Sequence, residues 1–159
     1  MVLKRSFLKI KELNLIESMK SESMCRMIFQ HFVQQRFVKC RPSFLGTFEL
    51  DGYCKKHELA FEYNGIQHYQ YVPYFHSSYS KFERQQENDQ RKRDLCLRHG
   101  LILITIPPIY TIHTMPATTY FIHDQLLRAE RTRSDVYMVN RCPRTALVNF
   151  AYNSPNSTF

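Results

Sequence analysis

The chain is 159 residues long and 43% hydrophobic, which fits one domain with a buried core and excludes a chain that is disordered throughout. Lys and Arg number 22 against 14 Asp and Glu, and the formal net charge of +8 favours a polyanionic partner such as nucleic acid. No stretch reaches the roughly 18–20 consecutive apolar residues that cross a bilayer, so no membrane partner is expected.

The five cysteines are odd in number and widely spaced, and no pair has the Cys-x-x-Cys spacing of a structural zinc site. Reduced thiols in an intracellular compartment are the simplest explanation, and nuclear and cytoplasmic locations both stay open. Residues 1–20 and 128–159 each hold five basic and two acidic side chains. The centre is therefore nearly balanced in charge, as expected if it gathers carboxylates around a metal ion.

The first predicted elements are a basic N-terminal arm or short helix over residues 1–20 and an amphipathic helix over 21–35. Ser21 is expected to cap that helix, and Glu22 lies in its first turn, where a carboxylate complements the helix dipole.

Residues 48–51 and 58–64 alternate between apolar and polar side chains, which predicts the two strands of a β-hairpin. Successive strand side chains point to opposite faces. In the second strand the apolar face, expected to be core, consists of Leu59, Phe61 and Tyr63, and the other face consists of Ala60, Glu62 and Asn64.

Residues 69–79 are rich in Tyr, Ser and Pro and predict a loop, whose aromatic side chains either stack on bases or simply pack. A polar helix over 80–99 with Gly100 as its C-cap follows, and then an apolar strand over 101–106 of the kind that is buried on both faces. A last helix is predicted over 117–131, before an irregular remainder.

The predicted fold class is mixed α/β, with a small mixed β-sheet flanked by helices. The predicted organisation is a basic N-terminal arm over 1–20, one domain over 21–131, and a partly irregular C-terminal extension over 132–159.

Asp51 and Glu62 lie near the ends of the two adjacent strands, away from the apolar face. Two neighbouring carboxylates are costly unless a positive group neutralises them. Mg²⁺ takes oxygen ligands and keeps positions for waters and phosphate oxygens, and in a basic protein the phosphate belongs to nucleic acid. The alternative stays open on the pattern alone: Asp51 is a turn residue before Gly52, and Glu62 is a solvated strand charge.

The residues around these two acids resemble those of a known family. They are Leu50-Asp51-Gly52-Tyr53 and Glu62-Tyr63-Asn64-Gly65-Ile66-Gln67-His68-Tyr69, with Asp89-x-x-Lys92-x-x-x-Cys96, His99-Gly100 and Glu22 as further pieces. Over residues 20–108 the chain looks like the core of the restriction-endonuclease-like PD-(D/E)XK nucleases. It is especially similar to the branch that contains very-short-patch repair and homing endonucleases.

The resemblance implies a restriction-endonuclease-like core that cleaves DNA with Mg²⁺, or with Mn²⁺ in its place. It makes Asp51 and Glu62 metal ligands and Glu22 a supporting acid that reaches the metal directly or through water. The family's lysine, two residues after the strand acid, falls on Asn64, which has no charge and cannot shuttle a proton. Either the metal alone activates the water, or another side chain replaces the lysine. The residues considered for that role are Gln67, His68 and Lys92.

His68 either passes a proton at the scissile phosphate or packs in its turn. On the 80–99 helix, Asp89, Lys92 and Cys96 recur at three- and four-residue steps and so share one face. Because Cys96 is expected to be buried, Asp89 and Lys92 should point toward the sheet and its site. The alternative is an ordinary ion pair on a solvated face. The side chains expected to face solvent or DNA phosphate are Arg84, Arg91 and Arg93.

Three functions follow from these residues. The first is an active Mg²⁺-dependent endonuclease with DNA as its partner, and a homodimer would let so short a chain cut both strands. The second is a nuclease fold that binds nucleic acid without cutting it, with Asn64 marking the lost catalysis. The third is a protein-interaction module that uses the same fold.

Overall fold

The computed structural model describes residues 20–139, which contain three α-helices and four β-strands. In chain order these are α1 (Ser21–Val33), β1 (Val38–Cys40), β2 (Leu50–Cys54), β3 (Leu59–Tyr63), α2 (Tyr79–Arg98), β4 (Ile102–Ile106) and α3 (Met115–Val139). The predicted arm over 1–20 lies outside the described residues except for Lys20, as do residues 140–159 of the predicted extension. The chain divides into two compact units at a point within α3, the first ending at Asp124 and the second beginning at Gln125.

The four strands form one sheet in the order β1-β2-β3-β4. β1 and β2 are antiparallel, as are β2 and β3, in which Gly52 pairs with Phe61 and Cys54 pairs with Leu59. β3 and β4 are parallel and are joined through α2. The mixed α/β fold and the β2–β3 hairpin predicted from the sequence are therefore confirmed.

Helices cover both faces of the central strand β3. On one face the ring of Phe61 stacks on Phe29 of α1, with ring centroids 4.6 Å apart. On the other face Ala60 packs in a cluster that includes Cys96 of α2 and Leu50 of β2. The sequence predicted only the first face as core. The second is also buried, because α2 lies over it.

Gly52 permits the close approach of β2 to the Phe61 ring. A Cβ atom at Gly52 would lie 2.0 Å from a carbon of that ring, a distance that no real packing allows. Packing against a neighbouring side chain, and not a turn, therefore requires glycine at this position of the strand.

Several element boundaries differ from the predictions. Lys20 and not Ser21 is the N-cap of α1, and no side chain caps that end. β1 was not predicted. β4 is buried mainly through Ile104 and Ile106, with the intervening residues half-buried, so its second face is less covered than predicted. The last helix extends to Val139 instead of ending near residue 131, so residues 132–139 are helical and not irregular.

Candidate active site

Asp51 lies in β2 just beyond the last paired position of the hairpin. The antiparallel register with β3 ends at Gly52 opposite Phe61, and the Oδ2 atom of Asp51 accepts the backbone N–H of Tyr63 at 3.0 Å. Ladder hydrogen bonds run in the plane of a sheet. The Asp51 carboxylate therefore lies in that plane, where it takes the place of a strand partner.

The ammonium group of Lys39 is surrounded by three carboxylates. Its Nζ atom lies 3.2 Å from Glu22 Oε2 on α1, 3.3 Å from Asp51 Oδ1 on β2 and 3.3 Å from Glu49 Oε1, just before β2. Burial alone would lower the pKa of Lys39, but its hydrogen bonds with Glu22 and Asp51 raise it above the ordinary value. The site therefore favours a cation.

Arg26 supports the same group of acids from α1. It donates to Glu22 Oε1 at 2.6 Å, one helical turn away, and to the backbone carbonyl of Asp51 at 2.6 Å. Burial opposes ionisation of Glu22, but its hydrogen bonds with Arg26 and Lys39 bring the pKa of that carboxyl below its ordinary value. Glu22 is therefore held as a carboxylate beside Asp51.

Glu62 is buried and forms an ion pair with Lys92 of α2. Lys92 also donates to the backbone carbonyl of Glu49 at 2.9 Å. Burial raises the pKa of Glu62, Lys92 opposes that shift, and the negative charges of Asp51 and Asp89 add to it. Asp51 and Glu62 are thus close enough to interact electrostatically.

Glu62 pairs with Lys92 of α2, whereas the Asp51 carboxylate pairs with Lys39 of β1 and the Asp51 backbone carbonyl accepts from Arg26 of α1. Lys92 belongs to α2, which covers the Ala60 face of the sheet, whereas Arg26 belongs to α1, which covers the Phe61 face. Asp51 lies in the plane of the sheet and therefore connects the group that contains Lys92 with the group that contains Arg26.

The turn after β3 holds the other residues proposed as catalytic. Asn64 is buried, its N–H donates to Ile106 at 3.0 Å, and its side chain is hydrogen-bonded to the Tyr69 hydroxyl. Gln67 folds back on the turn, since a Cβ atom at Gly65 would lie 2.2 Å from the oxygen of its side-chain amide.

His68 and Asp89 form a close pair. The Nδ1 atom of His68 lies 2.7 Å from Asp89 Oδ2 on α2. Because Asp89 holds one ring nitrogen, the other nitrogen is left for a proton or a phosphate oxygen. Asp89 and Lys92 thus both point toward the sheet, as their helical spacing predicts.

The three arginines proposed to bind DNA are all exposed on α2. Arg91 lines a shallow groove between α2 and residues 43–48. Arg93 donates to the side chain of Gln90, at 2.8 Å and 3.2 Å. Their exposure leaves Arg84, Arg91 and Arg93 able to meet a partner, and their contacts do not tie them to the carboxylates.

The donor chemistry around Lys39 fits a divalent ion, although the distances are those of an ammonium group. Within residues 20–139, no three His, Cys, Asp or Glu side chains are close enough together to hold a metal ion. Three carboxylates from two segments of the chain nevertheless converge on one cationic group, and carboxylate oxygens are the ligands that Mg²⁺ prefers. Glu22 and Asp51, two of the three ligands expected from the sequence, are in this group, and Glu62 lies beside it.

Three residues of this cluster were missed in the sequence, although simple spacings could have revealed two of them. Arg26 follows Glu22 by four residues, the spacing of an intrahelical ion pair. Glu49 precedes Asp51 by two residues, which places both on one face of a strand. Lys39 lies in the three-residue strand β1 and had no such signal.

The chain is similar to three viral proteins. It is 32% identical over 126 residues to Uncharacterized protein 307L of Invertebrate iridescent virus 6, 34% over 99 residues to Uncharacterized protein 033L of Invertebrate iridescent virus 3, and 37% over 100 residues to Uncharacterized protein 094L of Frog virus 3 (isolate Goorha). These matches cover 66%, 58% and 58% of the chain. They span 63%, 50% and 63% of the relatives, which is less than two thirds of each.

No protein-family model matches the chain, and no solved structure matches it. Within residues 20–139, every helix is too short or too polar to cross a membrane.

Proposed function

We propose that the protein is a metal-dependent endonuclease that hydrolyses DNA phosphodiester bonds. The observation that carries the proposal is the convergence of Glu22, Glu49 and Asp51 on one cation, beside the buried carboxylate of Glu62. Carboxylates gathered in this way repel one another unless a cation holds them. The formal net charge of +8 and the exposed arginines of α2 favour a phosphate backbone as the partner.

In this proposal Asp51, Glu22 and Glu62 are the residues that hold Mg²⁺ or Mn²⁺, and Glu49 is an additional acid at the same place. A bound divalent ion supplies polarisation of a phosphoryl oxygen and a lower pKa for a coordinated water. The carboxylate of Asp51 is fixed for this purpose by the N–H of Tyr63.

Lys92 and His68 supply the basic groups that Asn64 lacks. Lys92 places a positive charge against Glu62 from α2, and we assign it the charge role of the family's strand lysine. His68, oriented by Asp89, is the group assigned to move a proton or contact the scissile phosphate. Asn64 holds the Tyr69 hydroxyl and thereby positions the turn. A homodimer with one site for each strand belongs to the same proposal.

The second candidate is a nucleic-acid-binding module with this fold that does not cut. It is favoured by the pairing of both central acids with lysine: Lys39 occupies the position between Glu22 and Asp51, and Lys92 neutralises Glu62. In that case the lysines take the place of the metal ion permanently. In the nuclease proposal they do so only until the metal ion binds.

The test is plasmid nicking with Mg²⁺ and with Mn²⁺. Wild type should convert supercoiled DNA to the open circle, whereas Asp51→Asn and Glu62→Gln should lose at least about a hundredfold in rate. Glu87→Gln, which changes an exposed carboxylate of α2, is the matched control and should keep the wild-type rate. Circular dichroism checks that each variant is folded.

Cutting by both site variants at the wild-type rate would refute the assigned site. Binding of DNA by wild type in EDTA, with no nicking in either metal, would select the second candidate. Failure to bind DNA near 0.1 M salt would reject both in favour of a protein-interaction module.

A further inference from the structure

Residues 69–79 expose a group of aromatic side chains, which we call the aromatic surface. The exposed fractions are 89% for Tyr74, 59% for Tyr79 and 55% for Phe75. The complete set is Tyr69, Tyr71, Tyr74, Phe75 and Tyr79. Single exposed aromatic residues are common, but several in one segment indicate a binding surface.

The aromatic surface is held from beneath by a buried histidine. His76 is 3% exposed, accepts the N–H of Val72 at 3.1 Å and contacts the Gln85 side chain of α2 at 3.0 Å. Its ring packs against buried Phe82, with centroids 5.2 Å apart. Buried side chains therefore anchor the loop, so the exposure of its rings does not result from loose packing of the loop.

Contacts between neighbouring rings divide the platform of aromatic side chains into two groups. The ring of Tyr71 lies 5.8 Å from those of both His76 and Tyr79, and the rings of Tyr74 and Phe75 are 5.0 Å apart. A platform of this kind offers several π-faces to flat partners.

The aromatic surface also adjoins the candidate active site. The Tyr69 hydroxyl is hydrogen-bonded to the side chain of Asn64, at the end of β3. His68, which precedes Tyr69, contacts Asp89. Tyr69, a member of the aromatic surface, therefore belongs to the same turn as Asn64 and His68.

The aromatic segment itself carries little charge. The sequence from 63 to 82 contains no Asp or Glu, and Lys81 is its one lysine or arginine. Arg84 is exposed on the next turn of α2. The segment thus presents aromatic faces with no carboxylate of its own, while exposed Glu83 and Arg84 of α2 follow it and Asp89 lies near Tyr69. Exposed aromatic faces of this kind stack on bases in proteins that bind single strands.

We propose that the aromatic surface binds unpaired bases of a DNA strand by stacking, so that the substrate class is DNA with a single-stranded or splayed segment and not fully paired duplex. This inference rests on the proposed nuclease function for its substrate. Stacking on an aromatic ring is tolerant of base identity, so the surface selects DNA by its unpaired structure and not by its sequence.

The experiment is fluorescence anisotropy in EDTA with a labelled oligo-dT strand and a blunt duplex of the same length. Wild type should bind the single strand more tightly. Tyr74→Ala and Phe75→Ala should each weaken that binding by roughly 5- to 100-fold and leave duplex binding almost unchanged. Tyr120→Ala, which removes a 73% exposed ring from α3, is the matched control and should change neither affinity.

A second readout uses 2-aminopurine within the strand, whose fluorescence reports stacking directly. Wild type and Tyr120→Ala should quench it alike, and Tyr74→Ala should quench it less. Equal losses on single strand and duplex, or no loss at all, would overturn the inference. Plasmid nicking is measured separately. A protein that stacks bases without cutting would refute only the proposed nuclease function. A protein that cuts DNA without using these rings would refute only the proposed role of the aromatic surface.

Discussion

Replacing Lys92 by methionine should expose how strongly the buried acid of β3 depends on its partner. The side chains of Lys92 and Glu62 are only 14% and 10% exposed, so the substitution leaves a buried carboxylate with no counterion. It also removes the hydrogen bond to the carbonyl of Glu49. Removing one member of a buried ion pair costs about 3–5 kcal/mol, which for a domain of this size lowers the melting temperature by roughly 10–20 °C.

The loss of stability in Lys92→Met should depend on pH in a definite direction. Burial already raises the pKa of Glu62 and Lys92 opposes that rise, so removing Lys92 raises the pKa further. The folded protein then binds the proton more tightly than the unfolded chain does. The free energy of unfolding therefore falls as the pH rises through the folded pKa. The deficit of Lys92→Met should be full at neutral pH and should shrink as Glu62 is protonated on acidification.

Urea unfolding of wild type and variants between neutral and acidic pH measures both effects. Arg93→Met, a neighbouring and exposed position on α2, is the matched control and should change stability by less than about 0.5 kcal/mol. Adding Glu62→Gln to Lys92→Met should restore much of the loss, because the uncompensated charge is gone. A Lys92→Met protein as stable as the Arg93→Met control at neutral pH would refute the reasoning.

Three further predictions test the surroundings of the site. Lys39→Met should tighten Mn²⁺ binding, measured by calorimetry, up to about tenfold, because an ammonium group no longer competes for Glu22 and Asp51. Lys55→Met is the control and should leave the affinity unchanged. An unchanged affinity in Lys39→Met would contradict competition between Lys39 and the metal ion. Gly52→Ala should destabilise the fold by about 1–3 kcal/mol in urea, because the added methyl meets the Phe61 ring, and wild-type stability would argue against that packing. Replacing Arg84, Arg91 and Arg93 by alanine should make the slope of log affinity for DNA against log salt concentration less steep. The slope should change by about 0.9 for each phosphate that is no longer neutralised. An unaltered slope would exclude these arginines from the interface.

Local pattern was sufficient to predict most of the elements that form the site. The polar helix predicted over 80–99 is α2 at Tyr79–Arg98. Its C-cap is His99 and not Gly100 as predicted; Gly100 follows with a φ of +68°, the left-handed conformation that glycine commonly adopts just after a C-cap. The alternation in residues 48–51 and 58–64 predicted the hairpin, although its first strand is Leu50–Cys54 and continues beyond Asp51. These features depend on neighbours within a few residues, which is why a single sequence reveals them.

Contacts that form only in three dimensions were harder to predict. β1 is three residues long and too short to show alternation, so neither the strand nor the place of Lys39 among the carboxylates was foreseen. The parallel pairing of β3 with β4 joins segments separated by the whole of α2. The burial of Ala60 depends on that helix as well. The sequence pointed to Glu22 and Asp51, which converge in the structure, but not to Glu49 or to the cations that accompany them.

The hydrogen bond from the Tyr63 amide to Asp51 Oδ2 has a practical consequence for spectroscopy. A charge placed against Oδ1 draws electron density from the whole carboxylate and weakens the acceptor on its other oxygen. The proton resonance of this amide, and its exchange with deuterium, therefore report the neighbour of Asp51. One backbone signal can thus distinguish an ammonium neighbour from a divalent ion, with no substrate present and no turnover to follow.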